Sequence, residues 1–413
     1  MMSSKNKVDI KEGSASMQPL SGIKILDLSR MVAGSYCSMI LGDMGAEVIK
    51  IEQPKVGDDT RQWGPPYING ESSYFLCINR NKQSLTLDFR KDKAKEIFLG
   101  LVRQSDVVIE NFRTGLMEKY GLGYHELKKI RPDLIYCSIT GYGRSGPYKD
   151  WPATDTAIQA MGGLFGLVGE AEGKPYRVPL PMIDMASGLY AHGAILAGLI
   201  RRGQDKQSHF IEVSLMDNML SLLLNFGSNY LLTGQVEERQ GNASSTIVPS
   251  NVFETKDRYV FLTASNDTRF IKFCQTIGLG HLADDPRFTT TGARMENRLE
   301  LEKLIQERLK EKTVGEWMEL MYEKGEGIPF APIRTLDEVF QDPHVIARDI
   351  VQEIQHPLIG TLRMIGPTVL YDHIRGRVRM PPPRLGEHNR EILKKFLGYD
   401  EEQIGQLEKE GVI

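Results

Sequence analysis

The chain has 413 residues, of which 41% are hydrophobic and 25% charged, with a formal net charge of −3. That is the balance of a globular protein long enough for two domains, and it lacks the basic field that nucleic acid or an anionic membrane surface would require. The four cysteines, Cys37, Cys77, Cys137 and Cys274, form no CxxC pair. Their scatter argues against a zinc finger or disulfide framework and fits a reducing, cytoplasmic compartment.

The first 20 residues mix Lys with Asp and Glu and contain no apolar core of a secretory signal, so a flexible N-terminal tail is expected over 1–20. No apolar run reads as membrane-spanning, and no membrane partner is expected. From 21, "IKILDL", "SYCSMILGDMG" and "AEVIKIE" read as strand, helix and strand, a βαβ unit of a parallel sheet. "QSLTLDF", "DVVIENF" and "LIYCSITGYG" continue as strands, separated by the helices "KDKAKEIFLGLVRQS" and "GYHELKKIRP". Residues 152–203 read as mostly helical, and "HFIEVSL" adds a strand. The alternation predicts an α/β fold with a large, Rossmann-like, doubly wound domain over 21–225.

Beyond that the pattern changes. "STIVPSNVFETKDRYVFLTAS" reads as antiparallel strands around a "TKDR" turn, followed by charged helices. A smaller α/β domain is expected over 226–330, then a linker and C-terminal segment, 331–413, returning to the large domain.

Glu52 ends the second strand, where a ribose-binding acid sits in dinucleotide folds. The phosphate loop before it reads "SRMVAGS", with one glycine where a nicotinamide site needs GxGxxG. Histidines are dispersed without HxxxH or HExxH spacing, so no metal is expected, and no GxSxG elbow supports a serine hydrolase. "GYGRSGPY" lacks the Lys-Ser/Thr of a P-loop and reads as a turn.

Asp184, in "PMIDMASG", falls at or just inside the start of a helix, where an acid ordinarily caps. Capping would be equally served by Ser, Thr or Asn. The small Ala186, Ser187 and Gly188 leave room for a ligand, and a helix N-terminus favours the ionised form a nucleophile needs. Asp155 reads as a first-turn acid complementing its own helix after Pro152. Asn111 and Phe112 end a strand, where α/β ligands bind or an Asx turn forms.

Six collinear blocks carry a resemblance. They are "LSGIKILDLSRMVAGSYCSMILGDMGAEVIKIEQPKVGDDTR", "NRNKQSLTLDF", "DVVIENFRTG", "YCSITGYGRSGPY", "PMIDMASGLYA" and "PPPRLGEHN". Together, from about residue 20 to the C-terminus, they resemble the class III coenzyme A transferases, the family of formyl-CoA transferase and carnitine CoA-transferase. The resemblance implies a Rossmann-like domain with a smaller α/β domain, an interlocked homodimer, and coenzyme A thioesters as substrates with no permanently bound cofactor. It maps the nucleophile onto Asp184, which would pass through an aspartyl–acyl anhydride and an aspartyl-CoA thioester. It implies coenzyme A near Val32, Ala33, Leu87 and Arg90, with Asn111, Phe112, Lys119 and Tyr120 along the pantetheine and phosphate path and Asp155 near the active centre.

The pattern also departs from formyl-CoA transferase. Gln53 stands where that enzyme has a phosphate-contacting Arg, and Val32 where it has a Gln. "GNASSTIVPS" lacks its glycine run, which counts against formate and oxalate. "GDDTRQWGPPY" and "STIVPSNVFETKD" look more like relatives using succinyl-CoA with dicarboxylates. Two alternatives share the fold. An alpha-methylacyl-CoA racemase would need a His where Thr154 stands, and a coenzyme A-binding subunit of a two-chain transferase would need no nucleophile.

Overall fold

The computed structural model describes residues 18–324 and 327–413, so most of the expected tail lies outside the described residues. The chain divides into two compact units. One comprises residues up to Gly162, Pro179–Leu224 and Asp349–Ile413, and the other Gly163–Val178 and Asn225–Arg348. The second unit therefore takes in 163–178, expected in the large domain, and runs to 348 rather than 330. Strand and helix periodicity does not mark where a chain crosses between units.

The first unit is built on a six-stranded sheet: β1 (Lys24–Asp27), β2 (Glu47–Glu52), β3 (Lys82–Thr86), β4 (Val107–Glu110), β5 (Ile135–Thr140) and β6 (His209–Ser214). The spatial order is β3-β2-β1-β4-β5-β6, the order of the Rossmann fold, and every neighbouring pair runs parallel. β3, β4 and β5 are buried along their whole length, as strands covered by helices on both faces must be. One face is covered by Asp92–Val102 and the C-terminal helices Asn389–Leu397 and Glu401–Lys409, which share a core that includes Phe98, Leu101, Ile392, Leu393 and Leu407. The other face carries α1 (Ala33–Asp43), the short α2 (Asp155–Met161) and the long α3 (Met182–Asp205).

By length and composition α3 could cross a membrane, a point the apolar-run reading missed. Its buried stripe of Ile183, Ser187, Gly188, Ala191, Ile195 and Gly198 instead packs on α1 and the sheet. Gly188 has a specific reason: a Cβ there would lie 2.7 Å from the Ala33 carbonyl oxygen and 3.2 Å from the Tyr36 ring. Only a residue without a side chain lets α3 cross α1 this closely.

Beneath the carboxyl ends of β1–β3 lies a buried charge network. Asp27 accepts from the Ser29 amide (2.9 Å), the Ser29 and Ser38 hydroxyls, and Lys82 Nζ (3.2 Å). Lys82 Nζ also donates to Ser35 O and Asn79 Oδ1, each at 2.8 Å. Lys50 Nζ pairs with Asp58 at 2.8 Å and donates to Ser29 O (2.8 Å). All four charged side chains are fully enclosed. Burial disfavours each charge. The Lys50 ammonium nonetheless outweighs it at Asp58, holding that carboxyl at about 2, whereas burial wins at Lys82 and pulls its ammonium down to about 8.

The second unit holds an antiparallel sheet of β7 (Ser250–Glu254), β8 (Tyr259–Thr263) and β9 (Phe330–Pro332), with β8 in the middle. The expected hairpin around "TKDR" is present, closed by the Thr255 amide donating to Arg258 O at 2.9 Å. Helices Asp267–Ile277, Arg298–Leu309 and Val314–Lys324 complete a core that includes Phe253, Phe270, Phe273 and Trp317.

Asp27→Ala would strand the Lys82 ammonium in the interior. It should cost about 3–5 kcal/mol in urea unfolding, and a loss under about 1 kcal/mol would mean the network is not held together by this carboxylate. Two α3 glycines offer a paired test. Gly193 has open space around its Cβ position, so Gly193→Ala should stabilise by up to about 1 kcal/mol through helix propensity. Gly188→Ala should destabilise by about 1–3 kcal/mol, because the helices must separate. Equal effects on unfolding would show that the α1–α3 crossing is not tight.

Candidate active site

In a sheet of this order the strand sequence reverses between β1 and β4, and ligands bind in the crevice beyond the strand carboxyl ends there. Asn111 joins the two loops across that gap. Its Oδ1 accepts from the Arg30 amide at 2.8 Å, and its Nδ2 donates to Arg30 O at 2.8 Å. A cavity of about 290 Å³ opens beside them, lined by Leu87, Arg90, Phe112 and Tyr120 together with Gln53 and Arg30. Four of the residues mapped to coenzyme A thus meet in one concavity. The Arg90 guanidinium is largely exposed and pairs with Asp88 at 2.8 Å. Lys119 lies one residue before Tyr120, on the exposed side of the short helix Leu116–Lys119, and does not line the cavity.

Glu52 also borders this cavity but is not free to hold a ribose. Arg61 grips it with two hydrogen bonds of 2.8 Å, the Asp58 amide donates to it at 3.0 Å and the Ser84 hydroxyl at 2.7 Å. The acid at the end of the second strand is a structural anchor for the loop 53–61.

On the other side of the 28–32 loop, Val32 occupies the N-cap position of α1 without a side-chain cap, followed by Ala33; both are buried. A second cavity, about 560 Å³ and mainly apolar, is lined by Val32, Tyr36, Tyr74, Pro181 and Met185, among others. Pro181 and Met185 flank Asp184 on α3. Asp184 itself is partly buried, one turn before the Gly188 contact with Ala33.

Asp184 is not the helix cap. Pro181 is the N-cap residue, and it offers no side-chain acceptor. The free amides of Ile183 and Asp184 instead donate to Asp155 Oδ2, at 2.7 and 3.0 Å. Asp155 is buried, and its Oδ1 accepts from Gln159 Nε2 at 2.6 Å. Its own helix is capped by Thr154, whose Oγ1 accepts from the Ala157 amide at 3.3 Å. Asp155 stands in the first turn of its own helix, as expected, and its carboxylate also serves the neighbouring helix, while Thr154 has a structural task where a racemase would carry a base.

The carboxylate of Asp184 accepts no hydrogen bond among the described residues. The expectation that the helix end would favour its ionised form is reversed. Burial, and next the negative charge of Asp155, push its carboxyl up to about 7. Tyr74, from the short helix Ser73–Ile78, belongs to the same neighbourhood. Its phenol is pushed up to about 12, first by burial and then by Cys77, Asp184 and Asp155. Sequence reading passed over Tyr74, Arg30 and Gln159, because nothing in their local pattern separates them from ordinary surface or core residues.

A family model described as CoA-transferase family III matches residues 20–389. The succinyl-CoA:glutarate CoA-transferase of Mus musculus is 42% identical over 398 residues, covering 96% of this chain and 91% of the mouse protein. The succinate–glutarate CoA-transferase of Agrobacterium fabrum is 36% identical, covering 92% of this chain and 96% of its own length. Among solved structures, a CAIB/BAIF family protein from Brucella suis superposes with a TM-score of 0.81 at 38% identity, covering 92% of this chain and 99% of its own. With the parallel sheet, the switch-point cavity and the partly buried acid of α3 in place, these likenesses show that the chain belongs to CoA-transferase family III and is a CoA-transferase.

Proposed function

We propose that the protein moves coenzyme A from succinyl-CoA to a dicarboxylic acid of about glutarate's size, with Asp184 as the nucleophile. The observation that carries the reading is the Asp184 carboxylate, partly buried, without a hydrogen-bond donor, at the start of a helix that crosses α1 beside Ala33. The donor and acceptor come from the relatives at 36–42% identity that are named for this exchange.

In this reading the Asp184 carboxylate attacks the donor thioester carbonyl. The C–S bond breaks, giving a mixed anhydride and coenzyme A thiolate. The thiolate attacks the aspartyl carbonyl of the anhydride, releasing succinate and leaving an aspartyl-CoA thioester. The acceptor carboxylate attacks that thioester, and a new anhydride and thiolate form. The thiolate then attacks the acceptor's acyl carbonyl, which returns Asp184 as a carboxylate. No net proton is taken up, and each step replaces one acyl bond by another of similar reactivity. In this reading the mainly apolar second cavity, which meets α3 at Pro181 and Met185 on either side of Asp184, would limit hydrolysis of the anhydride.

Coenzyme A lies, in this reading, in the switch-point cavity with Leu87, Phe112 and Tyr120 against it. Arg90 lies on the wall near the phosphates, as does Arg30 beside Gln53, though Arg30 pairs with Asp59 and Arg90 with Asp88, and Lys119 approaches from outside the cavity. Val32 and Ala33 lie where the pantetheine turns toward Asp184. The same reading includes a homodimer acting in the cytoplasm. The apolar side chains that α3 leaves uncovered, Leu189 and Ile200 among them, give a second copy something to bury.

Incubation with succinyl-CoA and a panel of carboxylic acids, followed by mass spectrometry, should give glutaryl-CoA or a near homologue. Exchange confined to monocarboxylates would overturn the substrate assignment. Asp184→Asn should lower exchange by at least ~10³-fold, because the amide cannot form the anhydride. Wild-type kcat/KM should fall as pH is lowered through about 7, where the carboxyl takes up its proton.

Stability should move the opposite way. The folded state binds this proton more tightly than the unfolded chain does, so ionisation between about pH 4 and 7 weakens the fold. Asp184→Asn should therefore be more stable than wild type at pH 8, by an amount of order 1–3 kcal/mol, and closer to it at pH 5. An inactive but destabilised variant would point to a structural role instead.

A further inference from the structure

α3 begins in a way that would normally tie up an acid at its third position. The first amides of a helix lack intrahelical partners. A carboxylate three residues after the N-cap commonly folds back to accept from the N-cap amide. Asp184 holds that third position. Two features close the routes by which it could be engaged. The N-cap is Pro181, which has no amide hydrogen to give. The amides of Ile183 and Asp184 are already taken by Asp155 Oδ2, a buried acceptor whose other oxygen is fixed by Gln159.

Asp155 is not needed where it stands, since Thr154 caps its helix. The carboxylate of Asp155 is instead spent on a helix 28 residues away in the chain. A neutral acceptor would satisfy the same two amides. A charged one does more: it also presses on the neighbouring carboxylate.

We propose that Asp155 is a positioning residue that, with Pro181, keeps the Asp184 carboxylate bare and turned away from its own helix start. Its backbone hydrogen bonds fix the first turn of α3. Its charge discourages Asp184 from swinging back toward the amides. The nucleophile is left without donors to blunt it, one turn before the Gly188 crossing with α1, and more basic than a surface aspartate. The role rests on Asp184 being the nucleophile, as read above.

Two variants separate this from a purely structural role. Asp155→Asn keeps an oxygen for the α3 amides and loses the charge, and the Gln159 amide can turn to meet it. Pro181→Ala restores an N-cap amide for Asp184 to bind. Carbon-13 NMR titration of aspartate-labelled protein, assigned by Asp184→Asn, reads the Asp184 carboxyl without substrate. Both variants should stay folded and should move its midpoint down from about 7 toward the ordinary carboxylate range. The acid limb of kcat/KM should move with it, and exchange should fall by roughly 10- to 100-fold. An Asp184 midpoint unchanged in Asp155→Asn, or exchange within about twofold of wild type, would overturn the proposal. The substrate-free titration keeps the two readings apart. A wild-type protein that exchanged none of the acids supplied would count against the proposed reaction, while the titration would still decide the part played by Asp155.

Discussion

The loops that make the candidate site hang on one enclosed set of charges. Asp27 ends β1, Lys50 lies on β2 and Lys82 begins β3, and their charged ends converge under the 28–35 segment with Asp58. Four charges taken wholly out of water would be ruinous singly. They are tolerable here because Asp27 is met by two hydroxyls, an amide and an ammonium, and both lysines reach backbone carbonyls. The geometry this demands positions the loop that carries Arg30, Val32 and the start of α1. A glycine-rich turn would leave room there for a pyrophosphate. This loop is instead held from below by side chains, which gives the Rossmann strand order a different kind of crevice.

Above that base, two close fits define the surroundings of Asp184. Gly188 lets α3 lie against Ala33, and Asp155 takes the amides at the start of the helix. Each fit removes freedom from the first turn of α3. What remains free is the Asp184 carboxylate, the group proposed above as the nucleophile. The acid that stands where a cap is ordinarily found is thus not used for capping. The capping is done from a different helix.

The electrostatics follow from the same arrangement. A helix N-terminus favours an anion, and on that ground alone Asp184 should ionise easily. Burial and a second carboxylate held by the same two amides oppose this and prevail. Asp155 occupies the anion position at the helix end, and the repulsion falls on Asp184.

Much of this was legible in one dimension. Periodicity of two and 3.6 located the six parallel strands and their helices, because strands buried on both faces must be apolar and helices on a sheet must be striped. The "TKDR" hairpin was legible for the same local reason, and the collinear blocks marked Asp184. Packing alone decided the rest. The unit boundaries at 163–178 and 348, the engagement of Glu52 by Arg61, and the pairing of Asp155 with the amides of α3 join residues far apart in the chain. Local propensity is a property of neighbours in sequence. Hydrogen bonding and desolvation depend on neighbours in space, so the state of the Asp184 carboxylate was set only when α2, α3 and α1 came together.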